Sequence, residues 1–197
     1  MISAAIFDLD GTLTRTPNPW RHIHESLGVW EHACGHFEEW INGQIDYTEF
    51  CRKDFGLWRG RPLEELHAYL DGIEINRHVP AVIEALKREG VPSVILSSGF
   101  NHVARRIQSV HSWEPLAIYA NELLDGPEVR IGVSADLSSP ISKRALGLAA
   151  LQQVGGRPES TLVVSDAVRD LESLDYCAYR LHIEEEDHLL RTLEFLA

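Results

Sequence analysis

Two aspartates separated by one residue, Asp8 and Asp10, follow the apolar run Ala4-Ala5-Ile6-Phe7 and precede Gly11-Thr12. The run reads as a buried central strand. Both carboxylates then fall at its C-terminal end, where open α/β sheets place their ligands. Such close carboxylates repel each other, and a metal cation or a phosphoryl group would account for them. A second acidic pair, Asp166 and Asp170, follows the apolar Val163-Val164. Two carboxylates four residues apart just past a strand can reach one cation, and Mg²⁺ takes few carboxylates, keeping water and substrate oxygens as its other ligands. Ser97-Ser98-Gly99-Phe100 stands after the run Pro92–Leu96. A hydroxyl, a glycine that lets the backbone approach and free N–H groups at a helix start can cradle an anion. Lys143 falls in the first turn of an expected helix, where the dipole disfavours a cation, so it calls for an anion.

The elements that must position these residues alternate. A strand opens the chain, and four helical stripes follow. Asn18-Pro19 caps the first, which carries Trp20, Ile23 and Leu27 and stops at Gly28. Trp30, Ala33, Phe37, Trp40 and Ile41 mark the second, closed by Asn42-Gly43. Asp46 to Glu49 reads as a capping box for the third, with Phe50 and Cys51 inward. Leu63, Leu66 and Leu70 make the fourth, stopped by Asp71-Gly72. No strand pattern interrupts them.

The α/β pattern then resumes. Val82, Ile83 and Leu86 mark a helix ending at Gly90, Pro92 to Leu96 a strand, and Val103, Ile107 and Val110 a helix. Ala117 to Leu124 and Glu128 to Val133 flank Asp125-Gly126-Pro127 as a hairpin. Ser139-Pro140 caps a helix with Ala145, Leu146 and Ala149, ended by Gly155-Gly156. Thr161 to Val164 and Tyr179 to Ile183 are the last strands, and Glu184 to Asp187 the solvated first turn of a terminal helix with Leu189, Leu190 and Leu193 on its apolar side. Such alternation implies a mostly parallel sheet with helices on both faces.

In this order and spacing, Asp8-Leu9-Asp10-Gly11-Thr12 resembles the first motif of the haloacid dehalogenase (HAD) superfamily, D-x-D-G-T. Ser97-Ser98-Gly99-Phe100 is similar to the second motif in its S-G-G-F form, that of the phosphoserine phosphatase branch. Lys143 matches the phosphate-binding lysine, and Asp166 and Asp170 match the fourth motif, G-D-x-x-x-D. Ser165, Ala167 and Arg169 depart from the branch form G-D-G-x-N-D. The resemblance implies an α/β Rossmann-like core over residues 1–14 and 79–197 and a small α-helical cap over 15–78, inserted after the first strand. It implies a phosphomonoesterase in which Asp8 is the nucleophile and Asp10 the acid/base. Mg²⁺ would lie on Asp8, the Asp10 carbonyl and Asp166. Ser97, Ser98, Gly99 and Lys143 would hold phosphate, supported by Thr12, Asp170 and Arg169. The substrate would be a small phosphorylated metabolite. A dehalogenase would not need Asp10. A non-catalytic HAD-fold binding protein is the alternative reading.

The cap departs further. By ungapped alignment, the branch's substrate-gripping glutamate falls on Pro17 and its arginine on Asp54. An acid there repels a substrate carboxylate, so phosphoserine is disfavoured, and the cap tryptophans suggest a more apolar or planar leaving group. His32 and His36 have the i, i+4 spacing of metal ligands, but no third ligand can be placed.

Composition bounds the rest. At 197 residues the chain suits one domain with an insertion or two small domains, and 44% hydrophobic residues suffice for a core. A formal net charge of −12 without a basic patch argues against nucleic acid. Cys34, Cys51 and Cys177 are unpatterned, which suggests free thiols in a reducing compartment. The expectation is a soluble cytoplasmic monomer or homodimer with no membrane segment.

Overall fold

The structure is a computed structural model, and it describes residues 1–124, 130–132 and 139–197. Six strands form one sheet in the order β4-β3-β2-β1-β5-β6. They are β1 (Ala4–Phe7), β2 (Ser93–Phe100), β3 (Ala117–Leu124), β4 (Arg130–Gly132), β5 (Thr161–Ser165) and β6 (Tyr179–His182). All neighbours pair in parallel except β4, which runs antiparallel to β3. The expected hairpin is thus seen as paired strands, while its turn, Asp125-Gly126-Pro127, lies outside the described residues. β1 sits centrally, with Phe7 opposite Ile95 on one side and Val164 on the other. Its four residues are all buried, as a strand covered on both faces requires.

Alternation along the strands sorts the core into two layers. Ala5, Phe7, Ile95 and Val164 face α5 (Val79–Glu89), α6 (Asn101–His111) and the terminal α9 (Thr192–Leu196). Ala4, Ile6, Val94, Leu96 and Val163 face α7 (Pro140–Val154) and α8 (Val168–Ser173). Between β1 and α5 stand four helices, α1 (Pro19–Ser26), α2 (Trp30–Ile41), α3 (Tyr47–Gly56) and α4 (Leu63–Asp71). The Asn18 side chain accepts from Arg21 N–H, with Pro19 in the first turn, and the Asp46 side chain accepts from Glu49 N–H. An antiparallel bridge, Thr14 to Ile75, ties the outgoing and returning chain together.

Four local expectations change. Ser97 to Phe100 belong to β2 instead of following it, with a register shift between Leu96 and Phe100. Val110 and Ala145 and Ala149 are exposed; α7 buries Lys143, Gly147, Ala150 and Leu151 instead. In α2 only Ala33 is buried, and Phe37 and Ile41 are 43% and 62% exposed. Glu186–Arg191 is a 3₁₀ turn ahead of α9, and its acidic residues are paired rather than merely solvated. Glu186 reaches Arg15 and Arg77, and Asp187 reaches Arg77 and His78, binding this turn to residues far earlier in the chain. Among the described residues no helix is long and apolar enough to cross a membrane.

Candidate active site

The C-terminal edge of the sheet gathers the expected site residues. Asp8 follows β1 directly, and its N–H still bonds the Val164 carbonyl of β5. The chain then turns: Leu13 and Thr14 N–H groups return to the Leu9 carbonyl, with Gly11 at φ +82°. A side chain at Gly11 would be strained, and its Cβ would fall 2.2 Å from Oδ2 of Asp166. Thr12 accepts from the Asp166 N–H at 2.9 Å and donates to Oδ1 of the same residue at 3.1 Å. This pair pins the end of β5 to the first motif.

Lys143 is buried at 5% exposure, between Asp8 (3.4 Å) and Asp170, to which it donates a short bond. Ser165 Oγ also donates to Asp170, at 3.3 Å. Burial opposes the Lys143 ammonium, yet the charges of Asp8 and Asp170 outweigh it and raise its pKa. For Asp8, burial pushes the carboxyl well above its usual range; Lys143 opposes this, while Asp170, Asp10 and Asp166 add to it. Asp10 is pushed up to about 7, chiefly by burial, against the Ser97 hydrogen bond and Lys143. Burial also raises Asp166, opposed by hydrogen bonds from Thr12, its own backbone and Asp8.

Asp8, Asp10, Asp166 and Asp170 crowd one end of the cavity, and their mutual repulsion calls for a cation beyond Lys143. Hard oxygen donors from Asp8 and Asp166, with the Asp10 carbonyl in the intervening turn, fit a small divalent cation. Among the described residues no three His, Cys, Asp or Glu side chains form a ready-made metal cluster. A set of two carboxylates and one backbone carbonyl needs no third.

Ser97 Oγ donates to Oδ2 of Asp10 and accepts from Gly99 N–H at 2.8 Å. Ser98 contributes through its backbone: its carbonyl accepts from Trp20 Nε1 at 3.1 Å and Asn121 Nδ2 at 2.8 Å. Trp20 and Asn121 were not singled out as site residues. Asn121, a buried amide within β3, carried the one available signal; it also donates to the Tyr47 hydroxyl at 3.3 Å.

A cavity of about 250 Å³ opens on this cluster. Asp8, Asp10, Lys143, Asp166, Arg169 and Asp170 line its sheet end. Trp20, Phe37, Trp40, Tyr47, Phe50 and Asp54, all from α1–α3, line the other. Phe37 and Trp40 of α2 thus face the cavity, while Trp30 of the same helix is not among its lining residues. His36 does not pair with His32 in a metal site; its Nδ1 lies 2.8 Å from Oδ1 of Asp54.

The family profile described as haloacid dehalogenase-like hydrolase matches residues 5–175. A phosphoserine phosphatase of Halobacterium salinarum is 24% identical over 199 residues, covering 96% of this chain and 93% of that protein. Among solved structures, a phospho-aspartyl intermediate analogue of phosphoserine phosphatase superposes with a TM-score of 0.74 at 18% identity, covering 97% of this chain and 90% of the other. A HAD family hydrolase of Salmonella enterica serovar Typhi gives a TM-score of 0.75 at 17% identity over 90% of this chain, which spans 61% of that longer protein.

Proposed function

The chain belongs to the haloacid dehalogenase-like hydrolases, and from that premise we propose that it hydrolyses small phosphomonoesters through an aspartyl-phosphate. Asp8 attacks phosphorus; the new P–O bond forms as the bond to the leaving alcohol breaks. Asp10, holding a proton, delivers it to the departing oxygen. In the second half Asp10 takes a proton from water, whose oxygen attacks the phosphorus and frees Asp8 and inorganic phosphate. Lys143 holds phosphoryl oxygens; the expected cradle of Ser97 and Gly99 is instead closed on itself, since Gly99 N–H donates to Ser97 Oγ and Ser97 donates to Asp10. Asp8, Asp166 and the Asp10 carbonyl would hold Mg²⁺, which when bound neutralises charge on those oxygens. The helices α1–α4, over residues 15–78, act as a cap that screens the cavity from water and selects the leaving group.

The observation supporting this reading is the joint placement of Asp8, Asp10 and Lys143 around one cavity, with Asp10 buried and its pKa raised to about 7. A group so poised can both give and take a proton near neutrality. The non-catalytic alternative is disfavoured because each of these charged positions is filled. The test is phosphate release from para-nitrophenyl phosphate with Mg²⁺ and its loss on chelation. No release in the presence of Mg²⁺ would favour the binding-protein reading.

A further inference from the structure

Resting on the phosphatase reading above, we infer that the cap end of the cavity is built for a cationic tail, so that the substrate is a phosphomonoester of a small amino or quaternary ammonium alcohol. Tyr47, Phe50 and Asp54 stand at i, i+3 and i+7 on α3 and line the cavity together. Trp40 stacks on Phe50 with centroids 5.0 Å apart and planes 15° from parallel. Phe37 meets both rings near edge-on, at 5.8 and 6.4 Å. These rings form a continuous aromatic wall, and ring faces attract cations, quaternary ammonium groups above all.

Asp54 supplies the charge. It is 2% exposed. Its Oδ2 accepts from Nε2 of His24 at 3.0 Å and its Oδ1 from Nδ1 of His36 at 2.8 Å. Nδ1 of His24 is itself the acceptor of the Trp58 indole N–H at 3.0 Å. That bond fixes His24 as the neutral tautomer with its proton on Nε2, so it gives Asp54 a hydrogen bond and no charge. Two of about four lone-pair positions on the carboxylate are used. Among the described residues, Asp54 pairs with these two histidines and with no lysine or arginine.

The two arginines lining the cavity do not take its place. Arg21 bonds Glu25 at 2.7 Å and lies over the Trp30 ring. Arg169 belongs to the sheet end, beside Asp170. Hydrogen bonds from two histidines offset only part of the cost of burying a carboxylate, and a cation in the cavity would supply a countercharge. A carboxylate tail would be repelled, and a neutral apolar tail would satisfy the rings alone. The cavity, about 250 Å³ and thus just below the usual range of ligand sites of about 300–1,000 Å³, suits a tail of a few heavy atoms.

The test compares choline phosphate with its neutral isostere 3,3-dimethylbutyl phosphate, with para-nitrophenyl phosphate as a general substrate. We expect kcat/KM to favour the cationic ester by about tenfold or more, as one or two such contacts provide. In Asp54→Asn and Phe37→Leu that ratio should fall toward one. A structural role for Asp54 alone would lower both esters together and leave the ratio unchanged. Equal use of the two esters by the wild type, with para-nitrophenyl phosphate still hydrolysed, overturns the inference and leaves the phosphatase reading standing. If no ester is hydrolysed, calorimetry of both compounds with wild type and Asp54→Asn decides the matter: preference for the cation, lost in the variant, supports the site, and equal or absent binding overturns it.

Discussion

The Ser97 hydroxyl donates to Oδ2 of Asp10 at 2.5 Å, while Oδ1 of the same carboxyl is buried with no partner among the described residues. The serine's one proton goes to Asp10, while its oxygen accepts from Gly99 N–H. One oxygen of the carboxyl is thus held, and the other is the one available for the proton transfer proposed above. An unpartnered buried oxygen is expensive in a resting protein, and its presence suits a site completed by ligand.

Burial raises Asp10 to about 7 from an ordinary 3.8, so the folded protein binds its proton more tightly than the unfolded chain. Stability from this group is fully present below the unfolded pKa and is lost as pH rises from about 4 to about 7. In metal-free buffer, Asp10→Asn should therefore gain stability over wild type at pH 7.5 and gain little at pH 4.5. Thermal melts of both proteins at both pH values check this. An equal difference at the two values would contradict the burial of an ionising Asp10.

Asp8→Asn should bring turnover below detection, because the amide keeps the shape and lacks the attacking charge. It also removes one carboxylate from a mutually repelling cluster, so the melting temperature without Mg²⁺ should hold or rise. Turnover at the wild-type rate would sink the proposed chemistry.

Mg²⁺ should raise the melting temperature of the wild type by mass action, since its ligands converge only in the folded state. Asp166→Ala should shrink the shift at the same millimolar concentration. The absence of any shift in the wild type would count against the site.

Lys143 is the buried cation that offsets Asp8 and Asp170. Lys143→Met leaves those carboxylates unpaired and should cost about 3–5 kcal/mol, as breaking a buried pair does. Adding Asp170→Asn should return much of that stability without returning activity, because the phosphate loses its lysine in either case. Denaturant melts and the para-nitrophenyl phosphate assay on single and double variants separate the two effects. A double variant no more stable than the single one would place the missing charge elsewhere.

The site's framework was legible because its motifs are local: Asp8 and Asp10 share one turn, and Asp166 and Asp170 another. What joins them was not. Thr12 to Asp166 spans 154 positions and Lys143 to Asp170 spans 27, and sequence spacing says nothing about such pairs. Asp54 read as a substituted substrate contact, whereas its two histidine partners, 30 and 18 positions away, hold it inside the cap wall. Phe37 and Trp40 had helical spacing, which marks a sided helix but not whether that side meets a core or a cavity. Glu184, Glu185 and Asp187 are exposed as their composition suggests, but the ion partners of this turn, Arg15, Arg77 and His78, come to it only through the fold.

The second motif offers a sharper contrast, because two adjacent residues should respond very differently. Ser98 replaces a glycine of the S-G-G-F pattern, and its bonds to Trp20 and Asn121 run through its carbonyl, which any residue supplies. Ser98→Gly should cost only the flexibility of glycine in a strand, roughly 0.5–1 kcal/mol. Gly99 is confined from two sides: an added Cβ would fall 2.1 Å from Oδ2 of Asp10 and 2.9 Å from Cγ of Pro19. Gly99→Ala must displace either the acid or the start of α1, and the acid is held there by Ser97. Misplacing a catalytic group by about 1 Å costs on the order of a hundredfold in rate. We therefore expect kcat of Gly99→Ala to fall by about that factor, at least about ten times further than in Ser98→Gly, while both variants remain folded by circular dichroism. Steady-state rates on para-nitrophenyl phosphate measure the contrast. Equal losses in the two variants would mean that the approach of Gly99 to Asp10 does not set the position of the acid.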